Sequence, residues 1–185
     1  MDWLRSTGHD RDTLLAVLSD HGESLGEHGE VTHAVLLYEA TLRVPLLLAG
    51  PGVPAGRTVG IRVATIDLAP TLLKLLDVEP GPEMTGRDLR PALRGERIPT
   101  EPLYAESLFG RLNCRWSSLR SWTSDDWKLV QGSRTELFHL SEDPGETRNR
   151  AEEEVADLRA SWSWKLTNPL RAVGRVVNRM VGRAS

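Results

Sequence analysis

A single cysteine among 185 residues excludes a disulfide within the chain and leaves the redox compartment open. No apolar run approaches the roughly 20 residues that span a bilayer, and Met1-Asp2-Trp3-Leu4-Arg5 does not begin a signal peptide. A soluble protein is the expectation. Neither sign of charge dominates: 23 Lys and Arg stand against 26 Asp and Glu, a formal net charge of -3. No global attraction to nucleic acid follows from that balance. With 39% hydrophobic and 26% charged residues, the composition is that of a globular protein rather than a disordered one. The length suits one domain, or a domain with a subdomain.

What the chain does have is a concentration of polar chemistry behind one short apolar strand. Thr13-Leu14-Leu15-Ala16-Val17-Leu18 reads as a buried strand, continuous, apolar and bounded by polar residues. Ser19-Asp20-His21-Gly22-Glu23-Ser24-Leu25-Gly26-Glu27-His28-Gly29 follows, and then His33. The end of such a strand is where open α/β sheets place their ligand crevice. Asp20 and His21 can both reach one cation if the chain turns at Gly22. The plainer alternative is a loop in which Asp20 caps the next turn and His21 is exposed.

The first hundred residues alternate strand and helix signals, as an α/β layer does. Strands are expected at 13–18 and 44–49, and a helix at 68–77 that Asp67 can cap, with Pro70 in its first turn. Glu79-Pro80-Gly81-Pro82 ends that helix. A Pro, Gly and Arg-rich segment near 91–102 reads as a connection to a second unit. Beyond it, Ser118–Trp122, Trp127–Val130 and Glu136–Leu140 read as short antiparallel strands with turns at Ser124-Asp125-Asp126 and Gly132-Ser133. Trp116, Trp122 and Trp127 are expected to pack this small sheet rather than form a sugar platform. From Ala151 the pattern is helical. Arg171, Arg175, Arg179 and Arg183, with apolar residues between, place a basic face on a terminal amphipathic helix. Such a helix either docks on its own protein or meets a membrane surface or an acidic partner.

Taken in order, these segments resemble the C-terminal portion of a sulfatase, in the alkaline-phosphatase-like superfamily. The family signature S-D-H/N-G-x-x-L-G-x-x-G is met by Ser19 to Gly22, Leu25, Gly26 and Gly29, followed by His33, Glu39 and Arg43-Val44-Pro45-Leu46-Leu47-Leu48. The order continues through Gly50-Pro51-Gly52-Val53-Pro54-Ala55-Gly56, Asp67-Leu68-Ala69-Pro70-Thr71-Leu72-Leu73, Gly86-Arg87-Asp88-Leu89 and Tyr104-Ala105-Glu106. It closes on Glu136-Leu137-Phe138-His139-Leu140 and Asp143-Pro144-Gly145-Glu146-Thr147-Arg148-Asn149. Each piece is weak, but the series over residues 13 to 150 is specific. The implied fold is α/β: a partial sulfatase-like sheet with flanking helices, then a small antiparallel C-terminal subdomain and a terminal helix. The implied divisions are 1–100 for the catalytic-domain part, 101–166 for the small subdomain and 167–185 for the basic tail.

The resemblance implies sulfate ester hydrolysis supported by a divalent cation, calcium first, with manganese, magnesium or zinc as alternatives. Asp20 and His21 match a ligand pair of that metal. His33 falls where the family places a Lys or His that contacts the sulfate or protonates the leaving group. His28 is expected to be structural, Glu23 and Glu27 solvated or locally hydrogen-bonded, and Glu39 to orient the site region. The family's nucleophile is a formylglycine made within a C/S-x-P/A-x-R motif, which these 185 residues do not contain. Cys114, in Asn113-Cys114-Arg115-Trp116-Ser117, does not fit that motif and is expected to be an ordinary, partly buried thiol. Two early metal-binding aspartates are likewise unmatched. The chain is therefore expected to be inactive alone, to need a missing N-terminal segment as partner, and to expose apolar sheet surface without it. Phosphonate monoester hydrolases and phosphoethanolamine transferases share the D-H-G-E element, and a non-catalytic remnant is the alternative of a different class.

Overall fold

The computed structural model describes residues 2–154, so the basic tail and most of the predicted terminal helix lie outside the described residues. In chain order the elements are α1 (Asp2–Thr7), β1 (Leu15–Leu18), α2 (Glu39–Leu42), β2 (Leu46–Ala49), α3 (Leu68–Leu75), α4 (Arg90–Arg94), β3 (Leu103–Ser107), α5 (Phe109–Cys114), β4 (Leu119–Ser124), β5 (Trp127–Gln131) and β6 (Thr135–His139). They fall into two units. One holds the residues up to Asp20 together with Val44–Thr100; the other holds His21–Arg43 and the residues from Glu101 onward.

In the first unit, the two apolar runs form β1 and β2 as expected, each slightly shorter than its run, but the strand at 13–18 is not the buried one expected: no residue of β1 or β2 is fully buried. They pair antiparallel, with Leu15 opposite Ala49 and Leu18 opposite Leu46. Val17 and Leu47 face each other across this ribbon and stay 49% and 59% exposed, so the expected apolar sheet surface is present. Gly50 ends β2 with φ +126°, and a Cβ there would meet the Thr13 carbonyl oxygen at 2.4 Å; only glycine closes the ribbon this way.

Asp67 corrects one local expectation. Its carboxylate does not cap α3; it accepts the Ala64 N–H (3.0 Å) and the Arg87 N–H (2.7 Å), and it pairs with the Arg87 guanidinium at 2.7 Å. The 3-10 turn Thr65–Asp67 runs directly into α3, so Asp67 lies inside the first helical turn and reaches back to its start. Arg87's side-chain and backbone bonds outweigh the cost of burial and hold the Asp67 carboxyl below its ordinary value. Thr71, also buried, donates to the Asp67 carbonyl (2.6 Å) and accepts the Leu89 N–H (2.9 Å).

In the second unit, β3-β4-β5-β6 form an antiparallel meander. The three strands read from sequence appear as β4, β5 and β6. Alternation buries Ser121 and Thr123 on β4 and Lys128 and Val130 on β5, whereas β6 buries Glu136, Leu137 and Phe138 in succession. The apolar centre is Tyr38, Val130, Phe138 and Leu140, with Leu36 against it. Tyr38 and Leu36 come from the segment that carries the signature, so this sheet is the scaffold of the candidate site.

Two side chains depart from expectation. Trp122 and Trp127 pack on the sheet, Trp127 edge-on to His139 with the Arg150 guanidinium 5.1 Å from its ring. Trp116 does not: it is 61% exposed, because the left-handed Arg115 (φ +58°) turns the chain off α5 before β4 begins. Cys114 ends α5 and is exposed, not partly buried.

Candidate functional site

The signature segment folds as a closed loop held by its own backbone. Gly22 N–H donates to the Thr41 carbonyl (2.8 Å), Ser24 N–H to Thr32 (3.0 Å) and Gly26 N–H to Glu30 (2.9 Å). A Cβ on Gly22 would lie 2.2 Å from the Ala40 carbonyl oxygen, so glycine alone permits the approach of residue 22 to α2. Glu30 is buried, and its carboxylate accepts the N–H groups of Val35 (3.0 Å) and Leu36 (3.1 Å). Directly after His33, Ala34 adopts φ +87°, a conformation that costs a non-glycine residue on the order of 1–3 kcal/mol. The Ser107 hydroxyl donates to the Ala34 carbonyl (2.8 Å) and ties that strained residue to β3.

The Ser24–Thr32 bond sets residue 23 beside residue 33. His33 Nδ1 lies 3.1 Å from Glu23 Oε2, and the His33 ring stacks on His21 with centroids 3.7 Å apart and planes inclined by 21°. Each of His21, Glu23 and His33 offers a donor atom, and the three atoms lie within 4.8 Å of one another. The group is open to solvent; the Glu23 and His33 side chains are 47% and 41% exposed. His21 Nδ1 is 2.7 Å from the Gly22 carbonyl oxygen. With Nδ1–H donating to an oxygen in both imidazoles, each ring is left with Nε2 as its acceptor nitrogen. Chemically, this is a pair of oriented imidazoles with a carboxylate able to carry charge beside them.

Of the three residues singled out from sequence, His21 and His33 are brought together. Asp20 is exposed and belongs to the first unit, the chain passing into the second between Asp20 and His21. Glu23 is the residue sequence reading undervalued: it is the hydrogen-bond partner of His33, and the nine intervening residues gave no signal of it. His28 is structural, as expected. Its ring stacks on Tyr38 at 3.6 Å, and its Nε2 lies 3.1 Å from the Gly145 carbonyl. Glu39 pairs with Lys128 Nζ at 3.1 Å, and Lys128 also pairs with Glu146 at 2.9 Å. Those buried charges anchor α2, which directly follows the loop.

The chain has relatives among known proteins. A family model described as Sulfatase matches residues 1–78. The Delta 4,5-hexuronate-2-O-sulfatase of Bacteroides thetaiotaomicron is 29% identical over 164 residues, covering 81% of this chain and 33% of the relative. Arylsulfatase K of Danio rerio is 31% identical over 156 residues, covering 80% of this chain and 29% of the relative. The chain belongs to the sulfatase family. Within the superfamily fold, the solved phosphonate monoester hydrolase of Silicibacter pomeroyi superposes with a TM-score of 0.69 at 27% identity, covering 97% of this chain and 37% of that one. This sulfatase chain thus spans about a third of the length of the curated relatives it matches.

Among the described residues no helix is long and apolar enough to cross a membrane.

Proposed function

We propose that this chain carries the metal-pair and leaving-group part of a divalent-cation-dependent sulfuric ester hydrolase. Asp20 and His21 contribute to the metal shell, and His33 works at the ester. The observation that carries this reading is the His33–Glu23 bond of 3.1 Å beside the stacked His21 ring. Glu23 holds the His33 ring through Nδ1–H, so that Nε2 is the atom presented to a departing alkoxide. Once Nε2 has taken up a proton from solvent, passing it to the leaving oxygen neutralises that oxygen as the S–O bond breaks.

Calcium is the first choice of cation, since the family uses it and a carboxylate suits a hard ion. Calcium takes six to eight oxygens, and Asp20 with His21 supplies only part of such a shell. When bound, a cation of this kind withdraws charge from the sulfate oxygens as a Lewis acid. Because these 185 residues hold no C/S-x-P/A-x-R motif, the chain by itself is expected not to turn over.

Calorimetric titration with Ca2+ tests the metal pair: saturable binding that Asp20→Ala removes supports it, and indistinguishable, negligible heats for both proteins overturn it. Aryl sulfate hydrolysis by the purified chain that depends on added metal would overturn the expected inactivity. A second reading keeps the fold and changes the ester. It is favoured by the superposition on a phosphonate monoester hydrolase at 27% identity. Relative turnover of an aryl sulfate and a phosphonate monoester by the enzyme with its site completed separates these two readings; in the DNA upstream of the Met1 codon, C/S-x-P/A-x-R marks a sulfatase and a Thr nucleophile behind membrane spans a transferase.

A further inference from the structure

His21, Glu23 and His33 form a donor set of a different character from the pair assigned to the hard cation. Two imidazole nitrogens and one carboxylate oxygen within 4.8 Å suit borderline ions such as zinc, cobalt(II) or nickel, whereas calcium requires an oxygen cage. No other group of three His, Cys, Asp or Glu side chains meets that spacing among the described residues. We propose that these three residues are themselves a binding site for a divalent transition ion of the zinc type, with water completing its coordination.

The geometry is close to what such an ion needs. A tetrahedral ion with ligands at about 2.1 Å holds its donors roughly 3.4 Å apart. His33 Nδ1 and Glu23 Oε2 already stand at 3.1 Å, so the ion takes the place of the proton between them. On His21, the bond from Nδ1–H to the Gly22 carbonyl makes Nε2 the ligating nitrogen. The spread of up to 4.8 Å among the three donor atoms exceeds that spacing by about 1.4 Å, and the Glu23 and His33 side chains are exposed enough to rotate. The backbone under them is pinned by the Gly22–Thr41, Ser24–Thr32 and Ser107–Ala34 bonds, which lowers the entropy lost on binding.

The site does not depend on the ester-hydrolysis reading, but the two meet at His21 and His33. An ion held here occupies both imidazoles, so zinc-type ions would oppose the reaction proposed above rather than assist it.

Titration of the full chain tests the proposal, with Zn2+ followed by calorimetry and Co2+ by visible absorption. The expected result is one saturable Zn2+ site and cobalt d–d bands of low-coordinate type. Glu23→Gln and His33→Gln should each weaken binding at least tenfold, while His9→Gln leaves it unchanged. Circular dichroism and thermal melts of the metal-free variants show that each is folded. Absence of a one-to-one Zn2+ site overturns the proposal, as does wild-type affinity in both Glu23→Gln and His33→Gln. An equal loss in Asp20→Asn overturns it too, by assigning the ion to the Asp20–His21 pair. Parallel Ca2+ titrations bear only on the ester-hydrolysis reading, so the two can fail separately.

Discussion

Lys128 Nζ lies 2.9 Å from Glu146 Oε1, and the two side chains are 0% and 1% exposed. The same ammonium meets Glu39 at 3.1 Å, and Glu146 also accepts the Glu39 N–H. One buried cation therefore joins β5, α2 and the loop after β6.

Removing that cation leaves buried carboxylates unpaired. Lys128→Met is expected to cost about 3–5 kcal/mol, measured by chemical denaturation near neutral pH. Burial pushes the Glu146 carboxyl above its ordinary value of 4.5 even though Lys128 opposes the shift. A raised value means that its contribution to stability is complete below 4.5 and is lost as pH rises through the raised value. The penalty of Lys128→Met should accordingly shrink in acid, where Glu146 is neutral. A penalty independent of pH would show that the charge is not the cause.

Asp67 behaves in the opposite sense. Its lowered carboxyl supplies stability above the unfolded value of 3.8, and that stability is lost as pH falls through the folded value. Asp67→Asn is expected to cost on the order of 3 kcal/mol at neutral pH and to flatten the acid limb of stability against pH. Unfolding curves collected between neutrality and strong acid check both features.

Tyr38 gives an optical signal. Burial, reinforced by its hydrogen bond to Glu136 (2.8 Å), raises the phenol to about 12. Its contribution is full below the ordinary value of 10 and disappears as pH climbs through about 12. Phenolate absorbance in wild type minus Tyr38→Phe should show this late transition. The substitution should cost about 1–2 kcal/mol for the lost hydroxyl bond.

Gly22→Ala places a methyl group against the Ala40 carbonyl. Overpacking of that kind costs about 1–3 kcal/mol and pushes His21 away from α2. Denaturation should register the loss, and Zn2+ affinity should fall with it. A variant as stable as wild type would mean that the loop has room the structure does not show.

How far the sequence could be read depended on whether the signal was local. The apolar runs at 13–18 and 44–49 became β1 and β2 because short continuous apolar runs bounded by turn residues favour extended pairing, although no residue of either strand is buried. β3 went unread, since Leu103-Tyr104-Ala105-Glu106-Ser107 alternates weakly and follows a segment that looks like a linker. α5 was hidden similarly, and with it the exposure of Cys114 and Trp116. His21 and His33 were legible through the signature. Their partner Glu23 was not, because the contact is made by the Ser24–Thr32 closure rather than by spacing.

The residue order by itself determined the family, the α/β mixture and the chemical types at positions 20, 21 and 33. Those follow from motif order, apolar periodicity and side-chain chemistry. Tertiary structure alone decided that Lys128 is buried between two carboxylates, that Asp67 answers Arg87 rather than capping a helix, and that Glu23 holds His33. Burial and charge pairing join residues distant in sequence, and their energies exist only once the chain has closed around them.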